Sequence, residues 1–245
     1  MGNSDAGLRG RRTAWVLAAV VCALAVVLGV VYVSKPAPAA MAIAPGIGIV
    51  AEDPAGRVAT VCTLGFLARG ADGARYALTA GHCDKGGDVT LSDRADGNLR
   101  KIGRFAHSVP GHDEGPDIAV IRLEDDELPR DPWILTERRV RGDTTTVLLE
   151  EDMLCFDGRI SGQQCGNYSL VLHTVRSRQA MANLAFFTAT AQPGDSGSPV
   201  YRLESDGSAT AVGILSGTVG DIGVVATLVE PYLEQWGLRL DTFRP

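Results

Sequence analysis

Three short segments carry side chains that together could break an acyl bond. His82 stands at the end of a strand-like run, Leu78-Thr79-Ala80-Gly81-His82-Cys83. Asp117 opens the apolar run Gly115-Pro116-Asp117-Ile118-Ala119-Val120-Ile121. Ser196 lies in the glycine-rich stretch Gln192-Pro193-Gly194-Asp195-Ser196-Gly197-Ser198-Pro199. Alone, each has an ordinary reading: a structural histidine, a turn aspartate, a loop. Jointly they meet the needs of acyl transfer. A serine hydroxyl is a weak nucleophile until a neighbouring imidazole takes its proton. Imidazole gains and loses protons near neutral pH. A carboxylate holds the imidazole in one tautomer and stabilises the imidazolium. Glycines beside the serine let backbone N–H groups converge on a developing oxyanion, an effect worth about 3–4 kcal/mol per donor.

These residues need a scaffold of short strands. Apolar runs alternate with turn signals, and candidate strands include Val58–Leu67, Arg75–Thr79, Ile118–Leu123, Val147–Leu149, Ser169–Val175, Leu184–Thr188, Pro199–Leu203, Ala211–Leu215 and Gly223–Val229. Ala71-Asp72-Gly73, Lys85-Gly86-Gly87, Ala95-Asp96-Gly97 and Ser205-Asp206-Gly207 supply tight turns between them. This punctuation predicts an all-β sandwich or barrel. The charged stretch Glu124–Pro132 divides the strands into two comparable groups and reads as a linker. One short helix is expected over Glu230–Leu238, opened by Pro231 and closed near Gly237.

The average composition hides an uneven chain. Ala14–Val33 is a block of 20 residues without a charge, long enough as a helix for a hydrocarbon core of roughly 30 Å. Arg9, Arg11 and Arg12 precede it and Lys35 follows, which orients residues from about 35 onward across the membrane. Residues 1–13 are then a basic cytoplasmic segment and 14–33 a transmembrane helix, or the apolar part of a cleaved signal. Cleavage near Ala42 is the alternative, from Ala37-Pro38-Ala39 and Ala40-Met41-Ala42. Residues 34–46 read as a Pro/Ala tether. The expected location is the cell membrane, single-pass with the main domain outside the cytoplasm, or secretion after cleavage. Without the basic leader the remainder is more acidic than the whole chain's net charge of -6, which argues against nucleic-acid binding.

Cys22 falls in the apolar block and reads as a filler. Cys62, Cys83, Cys155 and Cys165 lie beyond it, where disulfides persist. Four cysteines allow three pairings; sequence neighbours would give Cys62–Cys83 and Cys155–Cys165. A zinc site is the rival, but no Cys-x-x-Cys pair is present.

In the order His82, Asp117, Ser196 the three segments resemble the chymotrypsin-like (trypsin-fold) serine proteases. Cys155 to Cys165 resembles the short disulfide hairpin of bacterial members such as streptogrisins and α-lytic protease. The resemblance covers roughly residues 47–240. It implies an all-β fold of two six-stranded antiparallel Greek-key barrels, about 47–125 and 133–229, with a C-terminal helix and the triad in the cleft between barrels. It implies His82 as general base, Asp117 as its orienting carboxylate, Ser196 as nucleophile, and the N–H groups of Gly194 and Ser196 as oxyanion hole. A disulfide bridging a strand to the residue after the histidine, here Cys62–Cys83, is also typical of the family. Substrate would be held by Thr190, Ser216, Gly217 and Thr218. Ser216 would also approach Asp117. Thr190 and Thr218 leave an uncharged pocket, hence small or apolar side chains.

Two positions depart from the family pattern. Asp195 should be a buried carboxylate needing a partner, and the bacterial relatives place an arginine directly after the first hairpin cysteine. This chain has Phe156 there, and Arg159 is the expected substitute. Ser198 replaces a glycine. The expectation is an extracytoplasmic serine endopeptidase acting on protein or peptide substrates, monomeric in its protease domain, with no metal or organic cofactor implied. The rivals are a catalytically inactive binding protein of the cell envelope on the same fold and a partner-activated envelope stress protease. His107, His112 and His173 lack a metal-like partner set and read as loop or surface residues.

Overall fold

The computed structural model describes residues 42–92, 99–111, 115–171 and 183–242. The apolar run Ala14–Val33 with Cys22, the tether up to residue 41, the turn at Ala95–Gly97, His112 and His173 lie outside the described residues. Among those described, no helix is long and apolar enough to cross a membrane.

The first half of the chain forms seven strands: β1 (Gly48–Glu52), β2 (Val58–Thr63), β3 (Leu67–Gly70), β4 (Arg75–Thr79), β5 (Asp88–Ser92), β6 (Leu99–Pro110) and β7 (Asp117–Leu123). The second half adds β8 (Val140–Thr144), β9 (Met153–Gly158), β10 (Gly162–Asn167), β11 (Leu184–Phe187), β12 (Pro199–Leu203), β13 (Ala209–Val219) and β14 (Gly223–Leu228). Helix α1 (Glu230–Gln235) and strand β15 (Leu238–Leu240) close it. The Asp-Gly turns form as the residues require. Asp72 and Asp206 accept the N–H groups two residues on, at Ala74 and Ser208, while Gly73 and Gly207 take φ of 81° and 79°.

Two antiparallel sheets result. The expected pair of six-stranded barrels needs correction in count: one sheet has eight strands, ordered β15-β3-β4-β7-β6-β5-β1-β2, and the other seven. The second runs β10-β9-β12-β13-β14-β11, with β8 pairing β13 in parallel. The eighth strand of the first sheet is β15. Gly237, at φ 65°, ends the helix early, and Leu238-Arg239-Leu240 then alternates inward and outward along the edge of β3. Val147–Leu149 and the described part of Ser169–Val175 are not strands.

Two large clusters form the core, and the first continues from one sheet into the other through Tyr201 and Ile214. Leu64, Phe66, Leu78, Ile118 and Val120 fill the first; Leu154, Phe156, Phe187, Val200 and Val224 fill the second. Phe156 is wholly buried, edge-on to Phe187 at 6.4 Å between ring centroids, so its position is a packing site. Under β9, Tyr201 donates to the buried Asp157 carboxylate and accepts from the Gln163 amide, both at 2.7 Å. Burial raises the Asp157 carboxyl above its ordinary range.

The end of the presumed tether is part of this fold. Ile43 and Ala44 are fully buried. Ile43 exchanges backbone hydrogen bonds with Pro129 and Asp131, Pro45 accepts from Leu135, and Gly46 donates to Leu64. The missed signal was apolar: Met41-Ala42-Ile43-Ala44 offers an isoleucine that Pro/Ala composition masks.

Candidate active site

The register of the first sheet brings His82 to Asp117. Strand β4 pairs β7 with Thr79 opposite Ala119, so the short 3-10 turn Gly81–Cys83 after β4 stands beside the start of β7. Gly81 is dictated by space: a Cβ there would lie 1.9 Å from the Val109 carbonyl oxygen. Asp117 is 5% exposed and both its carboxylate oxygens face His82. Oδ2 lies 2.6 Å from the ring Nδ1, and Oδ1 accepts the His82 backbone N–H at 2.7 Å. With Nδ1 as the donor, Nε2 carries the free lone pair that a base requires.

Asp117 is in turn fixed from the second sheet. Its N–H donates to the Thr227 hydroxyl at 2.8 Å, and Ser216 Oγ meets that same hydroxyl at 2.8 Å. Ser216 also approaches Asp117 as expected, through its hydroxyl to the backbone carbonyl at 3.3 Å. Thr227 carries no sequence motif; its role comes only from the pairing of the two sheets.

The loop bearing Ser196 is a closed turn. Asp195 N–H donates to the Gln192 carbonyl at 3.0 Å, with Pro193 and Gly194 between and Gly194 at φ 106°. Proline followed by a residue of positive φ is the type II pattern. Strand β2 clamps this loop: Thr63 N–H donates to the Ser196 carbonyl at 2.8 Å and its hydroxyl to the Gly194 carbonyl at 2.9 Å. Ser198 is fully buried and ties the loop internally, donating to the Asp195 carbonyl at 2.5 Å. The N–H groups of Gly194 and Ser196, by contrast, donate to no other group among the described residues. They are two free donors beside the Ser196 side chain. No direct hydrogen bond joins Ser196 to His82 in this conformation.

Ser196 opens into a cavity of 430 Å³ whose walls include Thr190, Gly217 and Thr218. Ser216 and Gly217 border the adjoining 180 Å³ recess that holds His82 and Asp117. Gly217 thus joins the two. The uncharged pocket expected from sequence needs correction, because Asp221, at the β13–β14 turn, also lines the larger cavity.

The trypsin family model matches residues 72–234. This chain belongs to the trypsin family. It is similar to the uncharacterized protein Rv1815 of Mycobacterium tuberculosis (strain H37Rv), with 34% identity over 169 residues, 65% of this chain and 69% of that protein. Among solved structures it is similar to Nocardiopsis protease (NAPase), with 26% identity, a TM-score of 0.60 and coverage of 82% of this chain and 100% of that one. It is also similar to Cellulomonas bogoriensis chymotrypsin, with 25% identity, a TM-score of 0.57, and 83% and 100% coverage.

For this trypsin-family chain the expected partner of Asp195 requires correction. Asp195 is wholly buried, yet Arg159 does not reach it: its side chain lies across Gly48, 2.4 Å from where a Cβ there would stand. The carboxylate instead takes the N–H groups of Ile160, Ser161 and Gln192 and the Ser161 hydroxyl. Both disulfides form as sequence neighbours would pair them, Cys62–Cys83 and Cys155–Cys165. The sulfurs that lie near His82 therefore bind each other and offer no thiolate. His107, exposed to solvent on one side, stacks on Trp236 at 5.7 Å.

Proposed function

We propose that this trypsin-family chain is an extracytoplasmic serine endopeptidase. The observation that carries the reading is the pair of unengaged N–H groups at Gly194 and Ser196, held in a closed turn beside the nucleophile. A binding protein gains nothing from two unengaged donors converging at that spot, whereas an acyl-transfer enzyme stabilises its oxyanion there. Ser196 Oγ attacks the peptide carbonyl as His82 Nε2 takes its proton, and the tetrahedral oxygen settles against the two N–H groups. The His82 imidazolium, stabilised by Asp117, then protonates the leaving amine. Water, activated by the same imidazole, cleaves the ester and frees Ser196. A turn already closed within the chain also supports activity without a partner protein. Membrane attachment through Ala14–Val33, or secretion after cleavage before Ile43, would place the monomeric domain where its disulfides persist.

A fluorophosphonate probe tests the reaction, because it bonds only to an activated serine. Wild-type protein is expected to label within minutes and Ser196→Ala not at all; an unlabelled, folded wild type would return the chain to the inactive binding reading.

Substrate preference follows from the cavity. Thr190 and Thr218 offer hydroxyls and Asp221 a carboxylate at its wall, so a side chain with an aliphatic stem and a cationic tip fits better than an acidic one. Asp221 is exposed, which keeps the effect small. The kcat/KM ratio of a lysine substrate to its norleucine counterpart is expected at roughly twofold to fivefold. In Asp221→Asn that ratio should fall toward one; a ratio already at one in wild type would remove Asp221 from substrate selection.

A further inference from the structure

We infer that Ser161 is the positioning residue of the oxyanion loop: a neutral hydroxyl on the β9–β10 hairpin, in place of a cation, fixes the carboxylate that holds the turn around Ser196. The kinetic part of this inference rests on Ser196 acting as a nucleophile; the structural part stands alone.

A carboxylate removed from water is strongly disfavoured unless its acceptor sites are filled. Two oxygens offer about four such sites, and Asp195 has four donors. Oδ1 accepts the Ile160 N–H at 2.9 Å and the Ser161 N–H at 3.1 Å. Oδ2 accepts the Ser161 hydroxyl at 2.5 Å and the Gln192 N–H at 2.9 Å. The last of these closes the turn on itself, since Asp195 N–H returns to the Gln192 carbonyl. The other three come from one hairpin tip, so the hairpin and the turn are locked through a single carboxylate. Shape adds to the lock. The carboxylate rests on Gly158, where a Cβ would lie 2.4 Å from Oδ1, and the Ile160 side chain covers Gly194, 2.9 Å from a Cβ position there.

Ser161 is itself held. The Gln164 amide donates to its carbonyl at 3.0 Å, and Cys155–Cys165 staples the strands on either side. Of the four donors to Asp195, the hydroxyl is the only one that a side-chain change can remove. Its loss leaves an acceptor unsatisfied in a dry site and frees the carboxylate to rotate, carrying Gln192 and Gly194 with it. The Gly194 N–H would then no longer aim at the oxyanion. That is a defect of the transition state more than of substrate binding, so it belongs in kcat. Because no cation takes part, neither a terminal amine nor Arg159 is needed to keep the loop formed.

The decisive experiment compares Ser161→Ala, Ser161→Thr and Arg159→Ala with wild type. Two readouts are needed: amide hydrogen exchange over residues 192–197, and steady-state kinetics on a peptide amide substrate. Ser161→Ala is expected to speed exchange across that loop and to lower kcat about tenfold to a hundredfold with KM little changed. Ser161→Thr, which restores the hydroxyl, should recover most of both, and Arg159→Ala should leave exchange at the wild-type level. Wild-type exchange and kcat in Ser161→Ala would overturn the inference. So would an Arg159→Ala protein that reproduces the Ser161→Ala defect, or Ser161→Thr failing as badly as alanine. If the wild type neither labels with a fluorophosphonate nor turns over, the hydrolase reading fails, while the exchange comparison still decides the role of Ser161.

Discussion

Asp117→Asn is expected to lower kcat about 10⁴-fold, the scale of a wrong imidazole tautomer in a serine triad, with the fold retained. The geometry leaves the amide no good choice. Both oxygens of Asp117 accept from His82, one from the ring Nδ1 and one from the backbone N–H. An asparagine has a single acceptor, and its NH₂ must face one of those two donors. Facing the ring, it forces Nδ1 to accept and moves the proton to Nε2, where a base needs a lone pair. Facing the backbone, it meets N–H with N–H in a site only 5% exposed. The first arrangement loses the smaller number of hydrogen bonds, so the wrong tautomer should prevail. Turnover of a chromogenic peptide, alongside an unchanged circular dichroism spectrum and melting midpoint, is the measurement. A loss under tenfold would mean that Asp117 does not set the proton position.

Gly197→Ala should damage stability and catalysis together. Gly197 adopts φ 92°, a region costly for any L side chain, and a Cβ there would stand 2.2 Å from the Thr79 hydroxyl and 2.3 Å from the Thr63 carbonyl. Neither neighbour can give way. Thr79 donates to that same Thr63 carbonyl at 2.9 Å, and Thr63 clamps the carbonyls of Gly194 and Ser196. The extra methyl therefore pushes the nucleophile loop off the first sheet. The expected cost is about 2–4 kcal/mol from overpacking plus backbone strain, read as a lowered urea midpoint, with a fall in kcat of at least tenfold. Gly207→Ala is the control. It shares a positive φ of 79° but has no atom within 4 Å of the added Cβ, so it should lose only about 1–2 kcal/mol and no activity. Equal losses in the two variants would show that backbone conformation, not contact with Thr63 and Thr79, governs the site.

The chemistry was legible in the sequence where residue type and local spacing speak together. Gly81-His82-Cys83 and Gly194-Asp195-Ser196-Gly197 announce tight backbone beside reactive side chains, and Asp72-Gly73 and Asp206-Gly207 announce hairpins. A strand that turns most of its side chains to solvent was harder. Strand β6, Leu99-Arg100-Lys101-Ile102-Gly103-Arg104 onward, exposes most of its side chains and shows too little alternation to stand out. Contacts between these distant segments left no local signal. Thr63, Ser161 and Thr227 are small hydroxyl residues in ordinary strand or turn context. Each acts on a partner 34 to 131 positions away: Ser161 near Asp195, Thr227 beneath Asp117, Thr63 against Gly194. The expected Arg159–Asp195 pair failed for the same reason: charge complementarity in a sequence does not report which side chain the backbone turns toward the carboxylate.

The two disulfides divide the machinery between them. Cys62–Cys83 links the residue before the Thr63 clamp to the residue after His82, and Cys155–Cys165 braces the hairpin that presents Ser161. One bond lies beside the His82–Asp117 pair and the other beneath the loop that carries Ser196. On the proposed reading a thiol reductant would inhibit with two separable signatures: opening the first bond would disturb the alignment of His82 with Ser196, and opening the second would slacken the Ser196 loop while the His82–Asp117 pair stays in place. For the proposed protease, both halves of the site would thus depend on surroundings in which thiols stay oxidised.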